Sequence, residues 1–166
     1  ALPVHMVSLL RETGMRETWV IAIPATMGLV QVLGRLLLYF FEQHFDVHLS
    51  NRLIPCLIPL GLLALILGSG RPEAALLFVL LFGLGNGLLT IVKGTAMAQY
   101  VSREHTASLN GVLGVPLALA RAAAPLLLGL LWTRELGYAP GLWVLTAASV
   151  IAVTALVLAQ RRAAVD

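Results

Sequence analysis

Long apolar runs, interrupted only by short polar segments, set the first limit on what this chain can fold into. Thr18–Phe41, Glu73–Tyr100, Thr106–Trp132 and Ala139–Gln160 each reach or exceed the roughly 20 residues that an α-helix needs to cross a bilayer. Leu53–Gly68 is a shorter run of the same kind and carries Pro55 and Pro59. Of the 166 residues, 59% are apolar or aromatic and only 11% are charged. A soluble domain of this size exposes too much of its surface to hide that much apolar area. High apolar content with a net charge of only +3 excludes a disordered chain. A single cysteine, Cys56, permits neither an internal disulfide nor a thiolate metal cluster. A membrane barrel would show short alternating segments instead of unbroken runs. The expected class is an all-α membrane protein, a single transmembrane domain over residues 1–166.

Polar punctuation places helices at about 1–10, 18–41, 53–68, 73–100, 106–132 and 139–160. Ala1–Leu10 is too short to span and is read as the tail of a helix that begins before Ala1. The expectation is therefore five full transmembrane helices plus a truncated first helix. Glu73, just after Pro72, fits the first turn of its helix, where a carboxylate complements the helix dipole. Small residues recur four apart at Gly83 and Gly87, at Ala118 and Ala122, and at Ala120 and Ala124. Such spacing lets helix backbones approach closely, although Gly and Ala are also simply common in membrane helices. Basic residues on alternate sides nearly balance: Arg11, Arg16, Arg71 and Arg134 against Arg52, Arg103, Arg161 and Arg162. Arg35 tips the comparison toward a cytoplasmic C-terminus. The cations are spread out, without aromatic interleaving, so no nucleic-acid partner is expected.

Charge inside an apolar span is costly and marks a functional site by default. Three cations qualify: Arg35, Lys93 and Arg121. Each lies on a polar stripe at helical spacing. Gln31, Arg35 and Glu42 share one face of their helix. Asn86, Thr90, Lys93 and Met97 share another, and Asn110, Gly114, Arg121 and Pro125 a third. The runs 53–68 and 139–160 carry no deep charge and suit lipid all round. No Asp or Glu lies deep in any run, so the buried charge is all positive. That pattern suits an anionic solute, or else requires carboxylates from another part of the protein. Arg35 is near enough to its helix end to snorkel, which favours a structural or gating role over solute contact. Arg121 is too central to snorkel easily and is read as facing a cavity. Lys93 lies between them in depth, and a desolvated lysine changes protonation readily.

His44, Asp46 and His48 bring two imidazoles and a carboxylate together, but in a polar loop without a further ligand. They are read as solvated, and no metal site is assigned. His5 is either a proton-handling group or an interfacial histidine, and His105 lies in a turn. Ser8 and Ser108 lack His and Asp partners, so no catalytic nucleophile is assigned and no enzyme is expected. Gly83-Leu-Gly85-Asn86-Gly87 lies within an apolar run and does not follow a strand, so it is not a phosphate loop. No cofactor is implied.

Three passages resemble the C-terminal half of a major facilitator superfamily transporter, from the end of the seventh helix through the twelfth. Gly28-Leu-Val-Gln31-Val-Leu-Gly34-Arg35-Leu-Leu resembles the end of that family's eighth helix. Gly83-Leu-Gly85-Asn86-Gly87-Leu-Leu-Thr90-Ile-Val-Lys93-Gly94-Thr95 resembles the tenth, and Leu119-Ala-Arg121-Ala-Ala-Ala-Pro125 the eleventh. The sequence departs from the pattern after Arg35, where the paired basic residues of the gating loop are missing. It departs again at Lys93, where relatives often carry arginine. The resemblance covers essentially the whole chain and implies a six-helix bundle half built from inverted three-helix repeats, with a central site near the midplane. It implies that the ninth and twelfth helices lie outside the cavity, and these are the two runs without charge. It also implies a missing N-terminal six-helix half.

The function expected on these grounds is secondary active transport of a small anionic organic solute by alternating access, with or without a coupling proton. Lys93, Arg121, Asn86, Thr90 and Asn110 are the expected solute-binding residues. Gln31 and Arg35 are expected to gate. The expected location is the bacterial cytoplasmic (inner) membrane. The alternatives are a drug or metabolite exporter of the same superfamily, and a membrane scaffold that transports nothing.

Overall fold

In a computed structural model, residues 2–41, 53–100 and 106–163 are described, without the side chains at 41, 91–100, 106, 109 and 161–163. The described residues form six α-helices: α1 (Leu2–Glu12), α2 (Glu17–Phe41), α3 (Leu57–Leu67), α4 (Pro72–Tyr100), α5 (Thr106–Leu130) and α6 (Ala139–Ala163). The helix order and most boundaries follow the apolar runs. Pro72 and Glu73 open α4 as expected, with the missing proline N–H falling where no intrahelical partner exists.

Among the described residues, four helical stretches are long and apolar enough to cross a membrane: Glu17–Phe40, Pro72–Thr90, Asn110–Leu130 and Ala139–Gln160. The expected fifth is not among them. Leu53–Gly68 becomes a single 3-10 turn, Ile54–Cys56, followed by the eleven residues of α3. At about 1.5 Å per residue, α3 rises only about 17 Å. The two prolines tighten the start without ending the helix, which runs as one apolar stretch over Ile54–Leu67. Pro55 opens the 3-10 turn, and Pro59 stands in the first turn of α3, where its missing N–H costs no helical bond.

Packing centres on α4, which lies between α2 and α3 and makes its widest contacts with them. The glycines of Gly83-Leu-Gly85-Asn86-Gly87 permit both approaches. A Cβ at Gly83 would lie 2.8 Å from Val30 Cγ1, and one at Gly87 would lie 2.5 Å from the Gln31 carbonyl oxygen. Both therefore face α2. Gly85 faces α3, where a Cβ would lie 3.0 Å from Leu57 Cβ, and Gly61 of α3 sits equally close to Phe82 N at 3.2 Å. The Gly83/Gly87 spacing thus marks a real close approach. The same spacing at Ala118/Ala122 and Ala120/Ala124 does not, since Ala118, Ala120 and Ala122 are exposed.

The buried core joins Met6 and Leu10 of α1, Val20 and Ile23 of α2, Leu62 of α3, Phe78 and Val79 of α4, and Leu142 of α6. Phe78 stacks on Phe82 with ring centroids 5.1 Å apart. Helix α5 adds nothing to this cluster. Its main contacts run to α1, α4 and α6, and they are sparse. Charge-free α3 is well covered, packed on α4 and α6, whereas α6 exposes Trp143, Val144, Ile151 and Leu158.

Short turns close three helix pairs at one end of the bundle. Gly14, Gly70 and Gly137 take left-handed φ values of 75°, 80° and 54°, which only glycine adopts without strain. The 131–138 turn is ordered, with Gly137 N–H donating to Thr133 O at 2.8 Å and Thr133 N–H to Gly137 O at 3.3 Å.

The α2–α4 contact is testable. Gly87→Val should destabilise the protein by about 1–3 kcal/mol, because a backbone oxygen, unlike a flexible side-chain tip, cannot yield. Gly28→Ala meets nothing within 4 Å and should not destabilise, raising stability by up to about 1 kcal/mol through helix propensity. Thermal unfolding of both variants in detergent checks the pair.

Candidate functional site

The α2–α4 contact brings two of the three polar stripes together. Gln31, half-buried, lies against Gly87, and Arg35 is exposed one turn further along α2. Asn86 and Thr90 are exposed on α4 beside this seam. Gly83 and Gly87 point at α2 and Gly85 at α3. The helical register of Asn86, Thr90 and Lys93 falls in an arc of about 60° between those two faces. The Thr90 hydroxyl donates to its own helix at the Gly87 carbonyl, 2.6 Å away. That oxygen therefore offers lone pairs to a ligand, while Asn86 offers both donor and acceptor. The Lys93 side chain, and His44, Asp46 and His48, lie outside the described residues. Among the described residues, no three His, Cys, Asp or Glu side chains are close enough to hold a metal ion.

The third stripe stands apart. Asn110 and Arg121 are both exposed on α5, at register angles within about 20° of each other but about 16 Å apart along the axis. The Arg121 side chain has no hydrogen bond or ion pair to any described residue. Pro125, one turn later, lacks the N–H that would pair the Arg121 carbonyl, so both backbone and side chain at this position keep unused capacity.

Axial depth orders these residues. Because the three short turns meet around one cavity, depth can be measured from that end on α2, α4 and α5 alike. At 1.5 Å per residue, Arg121 lies about 13 Å deep, Gln31 and Asn86 about 21 Å, Arg35 and Thr90 about 27 Å, and Asn110 and Lys93 about 30 Å. Asn86 is the central residue of α4. Arg121 and the Lys93 backbone flank that level on opposite sides, about 18 Å apart along the axis. Gln31 and Asn86 share the middle depth, and Arg35 and Thr90 share the next.

The turn end holds contacts that local sequence patterns do not reveal. His5 is half-buried and joins three segments: its Nδ1 lies 3.2 Å from the Tyr138 hydroxyl and its Nε2 3.0 Å from the Pro125 carbonyl oxygen. A carbonyl only accepts, so Nε2 carries a proton and donates to it. His5 therefore ties α1 to α5 and to the turn before α6. The Trp132 indole Nε1 donates to Glu12 Oε1 at 2.7 Å. Arg11 pairs with Glu17 through both Nε and Nη2 on the exposed surface. The first two contacts join residues more than a hundred positions apart, so only the turn glycines hinted that these segments end together.

If the exposed polar arc faces water and not lipid, cysteines there will react with a membrane-impermeant maleimide. In a Cys56→Ala background, Asn86→Cys and Arg121→Cys should label, while Ile151→Cys, equally exposed but on the apolar surface of α6, should not once the protein is in a bilayer. Compared with known proteins, the chain matches no family model, no curated protein and no solved structure.

Proposed function

We propose that this chain is the C-terminal six-helix half of a transporter of the major facilitator type, and that it moves a small anionic organic solute by alternating access. The observation that carries the reading is Arg121. It is an exposed guanidinium on a helix apolar enough to cross a membrane, and no carboxylate among the described residues pairs with it. Such a charge is stable in a bilayer only beside water or an anion. An anionic solute supplies the second when the site is filled, and a hydrated cavity the first when it is empty.

The helix order supports the reading: six helices follow the apolar runs, and the two without deep charge, α3 and α6, pack on each other. In the proposed mechanism, Arg121 and Lys93 attract the solute from opposite sides of the midplane. The amides of Gln31 and Asn86 hold it between them, Thr90 accepts a hydrogen bond from a solute hydroxyl, and Asn110 lies toward the far mouth. Arg35, beyond Gln31 on α2, closes that mouth together with the absent half. The location proposed is a bacterial inner membrane with the C-terminus in the cytoplasm.

The test is uptake of a small organic anion by proteoliposomes holding the transporter that contains this half. Arg121→Ala and Lys93→Ala should each reduce initial uptake by at least about tenfold with unchanged yield and unfolding temperature, the loss of one charge-assisted contact. Uptake that survives both substitutions overturns anion recognition by these residues.

A further inference from the structure

The turn end of the bundle forms a half-open cavity of about 490 Å³, large enough for a small organic molecule. It lies about 20 Å from the level of Gln31 and Asn86, and nothing in the proposed transport site uses it. Its floor is apolar and comes from three helices: Leu9 and Leu10 of α1, Leu65 of α3 and Leu142 of α6. All four are buried core residues, so the floor is part of the fold's interior and is rigid. Its rim is polar and aromatic, with Trp132, Tyr138 and Glu12 prominent.

Glu12 is held in place. Its Oε1 accepts the Trp132 indole N–H at 2.7 Å, which sets the carboxylate beside the ring. Its Oε2 has no hydrogen-bond partner among the described residues, and it lies where a side chain at Gly137 would press on it, 2.9 Å from an added Cβ. Glycine at 137 therefore serves twice: it takes the φ of +54° that closes the turn, and it leaves the free oxygen open. Glu135 and Arg134 also line the cavity, so its charged side chains sum to one negative charge.

A carboxylate with one oxygen free, two aromatic rings and an apolar floor make up the chemistry that recognises an organic ammonium ion. The carboxylate supplies the counter-charge, the rings supply their negative faces, and the floor takes the ligand's hydrocarbon. We propose that this cavity binds an amphiphilic organic monocation, with its ammonium group against Glu12 Oε2 and its apolar portion on the Leu9, Leu10, Leu65 and Leu142 floor. The proposal does not depend on the anion-transport reading, because the two sites differ in place and in sign.

The test uses the full chain in phosphatidylcholine nanodiscs, titrated calorimetrically with benzyltrimethylammonium, and with benzenesulfonate as the anionic counterpart. Saturable binding of the cation, absent from empty nanodiscs and absent for the sulfonate, is expected. Glu12→Gln keeps an acceptor for the Trp132 N–H and should weaken binding by about tenfold. Glu12→Asp keeps the charge and should retain binding within a few-fold, and Glu73→Gln, outside the cavity, should change nothing. Unsaturable heats equal to those of empty nanodiscs, equal binding of the sulfonate, or binding that Glu12→Gln leaves unchanged would each overturn the proposal. Should Glu12→Gln fail to fold, Trp132→Phe decides: it should weaken cation binding several-fold, and unchanged binding would count against the site.

Discussion

The contact between Gly87 and the Gln31 carbonyl organises the rest of the molecule. In a bilayer no hydrophobic force drives one apolar helix onto another, so helices associate where their backbones can come close and gain dispersion and weak polar contact. Three glycines on alternate sides of α4 provide that closeness toward α2 and α3 at once. The register this imposes places the middle of α4 beside the second half of α2, which aligns Gln31 with Asn86. A one-residue slip would carry a side chain into the seam and separate the amides. The polar level of the protein is thus a consequence of where glycines permit contact.

A second constraint acts at the turn end, where α1, the α3–α4 turn and the 131–138 turn meet. There the joining forces are directional: His5 to Tyr138 and Pro125, Trp132 to Glu12, and Arg11 to Glu17. Each exposed ion pair is worth little on its own in water. The half-buried His5 contacts weigh more, because a partner left without its hydrogen bond there loses the compensation for its desolvation. This end is therefore specified by polar geometry, and the middle of the bundle by shape.

Much of the fold was legible in the sequence, because hydropathy and punctuation report helices directly. The runs 18–41, 73–100 and 106–132 became α2, α4 and α5 with boundaries shifted by two residues at most. The run 53–68 kept its bounds as the helical stretch Ile54–Leu67, which is too short to be the full span expected of it. Spacing of small residues was legible but ambiguous: Gly83 and Gly87 meet a neighbour, and Ala118 and Ala122 do not. What separates them is the identity of the facing helix, which a linear pattern does not carry. The same limit hid the turn-end contacts, as nothing near Glu12 in sequence points to Trp132. His5 reads as a proton carrier or an interfacial residue, and nothing in the sequence signals that it also links helices.

That link has a mechanical meaning. Helix α5 touches its neighbours sparsely and is anchored near one end, by His5 at the carbonyl of Pro125 and by buried Leu128 against Gly141. A rod attached near one end turns about its attachment. Along α5, Arg121 is about 6 Å from that point and Asn110 about 22 Å. A tilt of about 15°, the size of ordinary rigid-body rotations in switching proteins, sweeps Asn110 through about 6 Å and Arg121 through less than 2 Å. In such a tilt the guanidinium would stay near the fulcrum while the far end of the same helix swung.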